Sequence, residues 1–124
     1  MKYWQTKVVT GFGRGKQLGF PTLNLLPPPG FDAKQGIYAA WVRIAGQQRP
    51  AALHWGPVPS FGQSQVSLEA YLLDTDLADR PESVEFALVK YLRPVRRFNQ
   101  PEQLIGQISQ DVKQCRQILI GNSA

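Results

Sequence analysis

The stretch GIYAAWVRIAGQQRPAALHW, Gly36 to Trp55, decides the fold. Ile37 to Ile44 is a run of β-branched, aromatic and small apolar residues. The segment AGQQ that follows breaks the run with a glycine and two amides, and RPAALHW then returns to apolar character. Two such runs around a short Gly-containing turn predict an antiparallel hairpin. Outward from it, VSLEAYLL (Val66 to Leu73) and SVEFALVKYL (Ser83 to Leu92) have the same β-rich composition between Gly, Pro, Asp and Gln clusters, and KYWQTKVV (Lys2 to Val9) supplies a first strand. Several of these runs are apolar on both faces. That pattern suits a sheet that closes on itself and is also covered from outside, so a small barrel is expected.

The outer cover is expected at the C-terminal end. From Pro101, the residues Leu104, Ile108, Val112, Cys115 and Leu119 recur at helical spacing; Pro101 and Glu102 suit a first turn and Gly121 an end. The chain has 124 residues, 43% of them hydrophobic, with three Trp, four Tyr and six Phe. That is enough for one cored domain, expected over residues 1–124, and too little for two. The proline run Pro27-Pro28-Pro29-Gly30 falls inside the domain and marks no boundary.

Charge and cysteine content narrow the function classes. The net charge is +5, and before Glu69 the only acid is Asp32, set against Lys2, Lys7, Arg14, Lys16, Lys34, Arg43 and Arg49. A positive field over the first half suits a polyanion, nucleic acid and a nucleotide triphosphate being equally permitted. The single cysteine, Cys115, excludes an internal disulfide and has the helix-stripe position of a small buried residue. No run is long and apolar enough for a membrane span or signal peptide, so a cytoplasmic protein without membrane contact is expected.

The segment GFGRGKQLGFPTLN, Gly11 to Asn24, carries the strongest chemical signal. Glycines at 11, 13 and 15 allow backbone amides to approach an anion closely. Thr10 and Gln17 break the P-loop pattern, and Lys16 and Leu18 break that of a dinucleotide-binding turn. A plain bulge or hairpin turn remains the alternative. Beyond the glycines, Pro21 stiffens the chain before Thr22 and Asn24, which share one face of an extended segment. Their oxygens suit a Mg²⁺ whose remaining ligands are phosphates and waters, or alternatively the capping of a turn.

These residues resemble the riboflavin kinase family. The likeness runs through GRGKQLGFPTLNL, GIYAAWV (Gly36 to Val42), PSFG (Pro59 to Gly62), LEAYLLD (Leu68 to Asp74), YLRPVRRF (Tyr91 to Phe98) and QISQDV (Gln107 to Val112). It implies a mainly all-β fold: a six-stranded antiparallel Greek-key β-barrel with a C-terminal α-helix packed on it. It also implies transfer of the γ-phosphoryl of ATP to the ribityl 5′-hydroxyl of riboflavin, giving FMN and ADP, with Mg²⁺ or Zn²⁺ bridging the phosphates. By position, Gly11, Gly13, Arg14, Gly15, Lys16 and Pro21 would serve ATP and its phosphates, and Thr22 and Asn24 would bind phosphates and metal. Glu69 would be the catalytic carboxylate, with Arg93 and Phe98 on the flavin side. A monomer is expected, and no nucleic-acid partner, since the aromatics are not interleaved with the basic residues and the basic group Arg93 to Arg97 is short. The signature starts within the first dozen residues, so no adenylyltransferase module is expected and the product should stop at FMN.

On alternation alone, Ser67, Glu69 and Tyr71 share one face of their strand, and a solvent-facing Glu69 is the competing reading. Arg93, beside Arg96 and Arg97, has a surface alternative too. The chain departs from the family at His54-Trp55-Gly56, where Asn-Ile-Gly or Ser-Ile-Gly is usual, at Pro59-Ser60-Phe61, and at Thr75 and Ala78-Asp79. An isolated strand histidine is expected to be structural, and Trp55 to fill the barrel. Two other readings are a kinase-derived flavin or nucleotide-binding module without turnover and a small basic barrel that binds nucleic acid.

Overall fold

The hairpin at the centre of the sequence forms with a tighter turn than AGQQ suggests. Strand β3 (Gly36–Ile44) pairs antiparallel with β4 (Gln47–Pro57) in unbroken register from Gly36↔Trp55 to Ile44↔Gln47. Only Ala45 and Gly46 turn, with φ of 50° and 79°. Two successive positive φ values match the right-handed twist of the flanking strands, and this lets Gln47 and Gln48 join the ladder.

The structure is a computed structural model that describes residues 1–9, 21–57, 66–75, 77 and 79–121. The remaining elements are β1 (Trp4–Val9), β2 (Thr22–Leu25), β5 (Val66–Leu72), β6 (Ser83–Arg93) and helix α1 (Pro101–Leu119). The six strands close in the order β1-β2-β5-β4-β3-β6, every neighbouring pair antiparallel. Strands β3, β4 and β5 follow one another as a meander, and β6 returns to lie beside β3, which is the Greek-key arrangement.

Alternation along each strand divides inside from outside. Leu23, Leu25, Val42, Leu53, Leu68, Ala70, Leu72 and Phe86 point into a common barrel core. One end of that core is closed by Phe31, whose ring meets Trp4, Trp55 and Phe86 edge-on at centroid distances of 5.3, 5.1 and 5.5 Å. Phe31 is delivered by the proline run: its amide donates to the Pro28 carbonyl at 3.0 Å, and Gly30 sits at φ 78° after Pro29. That is the proline-glycine order of a type II turn. Trp55 thus packs at the barrel end, and its indole N–H donates to the Ala33 carbonyl at 2.9 Å.

Outside the barrel, Ala39, Ala52, Tyr71 and Leu73 make a second apolar cluster with Ile108, Val112 and Cys115 of α1. The small side chains of Ala39 and Ala52 let the helix approach the sheet closely. Pro101 occupies its first turn and Gly121 follows its end at φ 83°. Among the described residues, no helix is long and apolar enough to cross a membrane.

Candidate active site

Strand register assembles a row of polar side chains on the outer barrel face. Leu23 and Leu25 of β2 point inward, so Thr22 and Asn24 point outward. Asn24 stands opposite Glu69 of β5, and Glu69 stands opposite His54 of β4. Two residues along, Thr22 stands opposite Tyr71, and Tyr71 opposite Ala52. With strands about 4.8 Å apart, Asn24 and His54 lie on the order of 10 Å apart with Glu69 between them. Pro21 holds the start of β2 in place, because its carbonyl accepts the Leu72 amide at 2.9 Å.

Glu69 is fully buried, at 0% exposure, so its placement differs from the solvent-facing reading of the alternating pattern. β2 and β4 flank β5 in the closed sheet, with Asn24 and His54 as the cross-strand neighbours of Glu69. His54 is buried too, at 7% exposure, and its Nε2 lies 3.1 Å from the Pro57 carbonyl. A carbonyl only accepts, so Nε2 carries a proton.

Beside this row, a small open cleft of about 30 Å³ lies between the barrel and α1. Ala52, His54 and Tyr71 line it from the barrel and Leu104 and Ile108 from the helix. Arg93 and Phe98 line this cleft as well. Arg93 is held rather than solvated: its Nε and Nη2 donate to Asp111 Oδ1 and Oδ2 at 2.9 and 2.6 Å. Gln107 adds a third hydrogen bond to Asp111 Oδ1 at 3.2 Å, and Arg96 donates to Gln107 while lying over the Phe98 ring.

Thr22, Asn24 and Glu69 therefore come together through neighbouring strands, and Arg93 and Phe98 come together along the cleft. Gly11, Gly13, Arg14, Gly15 and Lys16 lie outside the described residues, as do Pro59 to Gly62 and Ala78. Tyr71, Asp111 and Gln107 are cleft or second-layer residues that sequence reasoning passed over. Asp111 did carry a signal, since it is a carboxylate on the apolar stripe of an amphipathic helix, where a partner is required.

Cys115 has no place in this chemistry. It is fully buried beneath α1, and its thiol is pushed up to about 12, first by burial and then by the nearby negative charge of Asp111.

The donor set fits a hard cation. Thr22 and Asn24 offer a hydroxyl and an amide oxygen beside a carboxylate, and oxygen ligands of this kind suit Mg²⁺. Among the described residues, no cluster of three His, Cys, Asp or Glu side chains is placed to hold a metal by itself.

Comparison with known proteins identifies the family. The family model described as Flavokinase: Riboflavin kinase matches residues 2–119. The human riboflavin kinase is 34% identical over 123 residues, covering 91% of this chain and 77% of that protein. An RNA-binding riboflavin kinase of Bacillus subtilis is 31% identical over 111 residues, covering 85% of this chain but 46% of that protein. A crystal structure described as a macrolide-efflux protein from Streptococcus pneumoniae superposes with a TM-score of 0.77 at 25% identity. It covers 92% of this chain and 38% of that longer one. With a family match over nearly its whole length, a barrel of the expected topology and a polar row beside a cleft, the chain belongs to the riboflavin kinase family.

Proposed function

We infer that the protein is an ATP-dependent riboflavin kinase whose barrel-helix cleft takes the flavin and whose β2–β5 row takes the phosphates. The observation that carries the assignment of sites is the register Asn24↔Glu69, which sets a candidate phosphate and metal strand beside a buried carboxylate whose other cross-strand neighbour, His54, lines the cleft. In the reaction, the ribityl 5′-oxygen forms a bond to the γ-phosphorus while the bond from that phosphorus to the β,γ-bridging oxygen breaks. FMN and ADP result. Glu69 orients the attacking hydroxyl and accepts its proton, which passes afterwards to solvent. Phosphoryl transfer asks chiefly for positioning and charge neutralisation, so a carboxylate, a set of amides and two oxygen donors are sufficient.

Thr22 and Asn24 would hold the divalent cation, and their oxygen chemistry favours Mg²⁺ over Zn²⁺. When bound, that cation neutralises the charge of the transferring phosphate. Arg93 and Phe98 serve the flavin from the cleft wall. Residues 1–124 act as a single domain and monomer in the cytoplasm. Nucleic acid is not a partner. In support, Arg43, Arg93 and Arg116 are engaged by Glu85, Asp111 and Asp74 rather than set out along one stripe.

The test is incubation of the purified chain with riboflavin and ATP in Mg²⁺ or Zn²⁺, with chromatographic separation of the flavins. FMN with stoichiometric ADP is the expected product, and faster turnover with Mg²⁺. No FMN with any common divalent metal would return the protein to a binding module without turnover. Tight, salt-sensitive RNA binding in a gel shift would reinstate a nucleic-acid partner, as the Bacillus subtilis protein's name suggests for that relative.

A further inference from the structure

We propose that Tyr71 is the substrate-binding residue of the barrel wall: its ring is the face against which the isoalloxazine of riboflavin lies while the ribityl chain runs along β5 to Glu69. The proposal rests on the riboflavin kinase reading of the cleft and gives the flavin ring a contact on the barrel itself, in addition to Arg93 and Phe98.

Three observations carry it. First, Glu69 and Tyr71 alternate with Leu68, Ala70 and Leu72 of the barrel core, so both point outward from β5. Same-face positions two residues apart lie about 7 Å from one another, a span of the order that an extended ribityl chain covers. Second, Tyr71 is the one tyrosine or tryptophan among the described residues that line the cleft. The other benzenoid ring there, Phe98, lies on the connector between β6 and α1, with the Arg96 guanidinium over it at 5.6 Å. Third, Tyr71 is fixed in place. It stands between Thr22 and Ala52 on a strand paired along both edges, is 6% exposed, and packs in the apolar cluster with Ile108 and Val112.

The size of the cleft gives that fixed position its consequence. About 30 Å³ has room for a few water molecules at most, so a flavin ring enters only as a wall yields. The barrel wall is laced by strand hydrogen bonds on both sides of β5, whereas the connector that carries Phe98 belongs to no ladder. The ring is therefore placed against Tyr71, and the connector adjusts to it. A flat aromatic face on a flat ring gains about 3- to 10-fold in affinity beyond the area it buries.

The experiment compares Tyr71→Phe and Tyr71→Leu with wild type. Readouts are riboflavin affinity by fluorescence titration without nucleotide, the fluorescence lifetime of the bound flavin, kcat, KM for each substrate, and thermal melting. An excited flavin takes an electron from a phenol in contact with it and returns it at once, which quenches emission; a phenyl ring does not supply that electron. Riboflavin bound to wild type should therefore be strongly quenched. Tyr71→Phe should keep affinity within about threefold, since the ring face stays, but lengthen the bound-state lifetime. Tyr71→Leu should raise the riboflavin Kd and KM about 3- to 10-fold, with saturated kcat and the KM for Mg-ATP within about threefold of wild type.

Wild-type riboflavin affinity in Tyr71→Leu overturns the proposal, as does a bound flavin in Tyr71→Phe that is quenched as strongly as in wild type. So does an equal rise in the KM for Mg-ATP, or a loss confined to melting temperature. If Tyr71→Leu does not fold, Tyr71→Phe, which removes only the hydroxyl, carries the test through the lifetime. A wild-type chain that binds riboflavin but makes no FMN overturns the kinase reading and leaves the lifetime to decide this contact, whereas one that binds no riboflavin overturns both.

Discussion

Arg93 at the end of β6 and Asp111 in the middle of α1 form a forked ion pair with hydrogen bonds of 2.9 and 2.6 Å. The side chains are 16% and 4% exposed, so the Asp111 carboxylate is buried and the Arg93 guanidinium largely so. The pair ties the helix to the barrel along one wall of the cleft.

Removal of one partner from such a pair leaves a buried charge uncompensated. Asp111→Ala should therefore lower unfolding free energy by about 3–5 kcal/mol and weaken riboflavin binding, because Arg93 loses its anchor. Urea denaturation checks the first effect and fluorescence titration the second. A stability loss below about 1 kcal/mol would place the pair among solvated surface contacts.

Glu69→Gln preserves shape and removes charge and basicity. Turnover should fall by roughly 10²–10⁴, the range for loss of a general base, with less loss if the group mainly orients the hydroxyl. Binding of riboflavin and Mg-ATP should change little. Ser67→Ala, on the same strand face, is the control and should keep near-normal kcat. A Glu69→Gln kcat within about threefold of wild type would remove Glu69 from the chemistry.

Thr22→Ala deletes a hydroxyl from the outer face of β2. Mg-nucleotide affinity and turnover should both drop, with a steeper requirement for Mg²⁺, while riboflavin binding without nucleotide changes much less. Unchanged activity at low Mg²⁺ would leave Thr22 as a strand residue only.

Cys115 should be inert in the native protein. With its thiol pushed up to about 12, almost no thiolate exists at pH 8, and alkylation should wait for unfolding. The raised value also has a stability consequence. The unfolded thiol titrates near its ordinary value of 9.0, so the protonated native form contributes stability that is fully present below about pH 9 and lost as pH rises toward about 12. Cys115→Ser should flatten that alkaline loss. Rapid labelling of the folded chain at pH 8 would contradict the buried placement.

The local grammar of the chain was legible without coordinates. Glycine in AGQQ, β-rich runs on either side and the apolar stripe after Pro101 are short-range signals, and hairpin, strands and helix arise where they point. The extended Pro21–Asn24 segment was legible as well, through Thr22 and Asn24 on one face. Turn length was not, since whether Gln47 and Gln48 belong to turn or ladder depends on the twist of two paired strands.

What only the tertiary structure decided is which strand lies beside which. The alternating pattern of β5 assigns Glu69 a face but cannot say what covers that face. Barrel closure puts β2 on one side and β4 on the other, so the carboxylate, fully buried in the fold, stands between Asn24 and His54. The same is true of Arg93 and Asp111, eighteen residues apart in sequence and joined only because α1 packs across the sheet. Residue types and their faces are local properties of the chain, set by backbone periodicity; the meeting of Glu69 with His54, and of Arg93 with Asp111, is set by long-range pairing and helix docking, which no local pattern encodes.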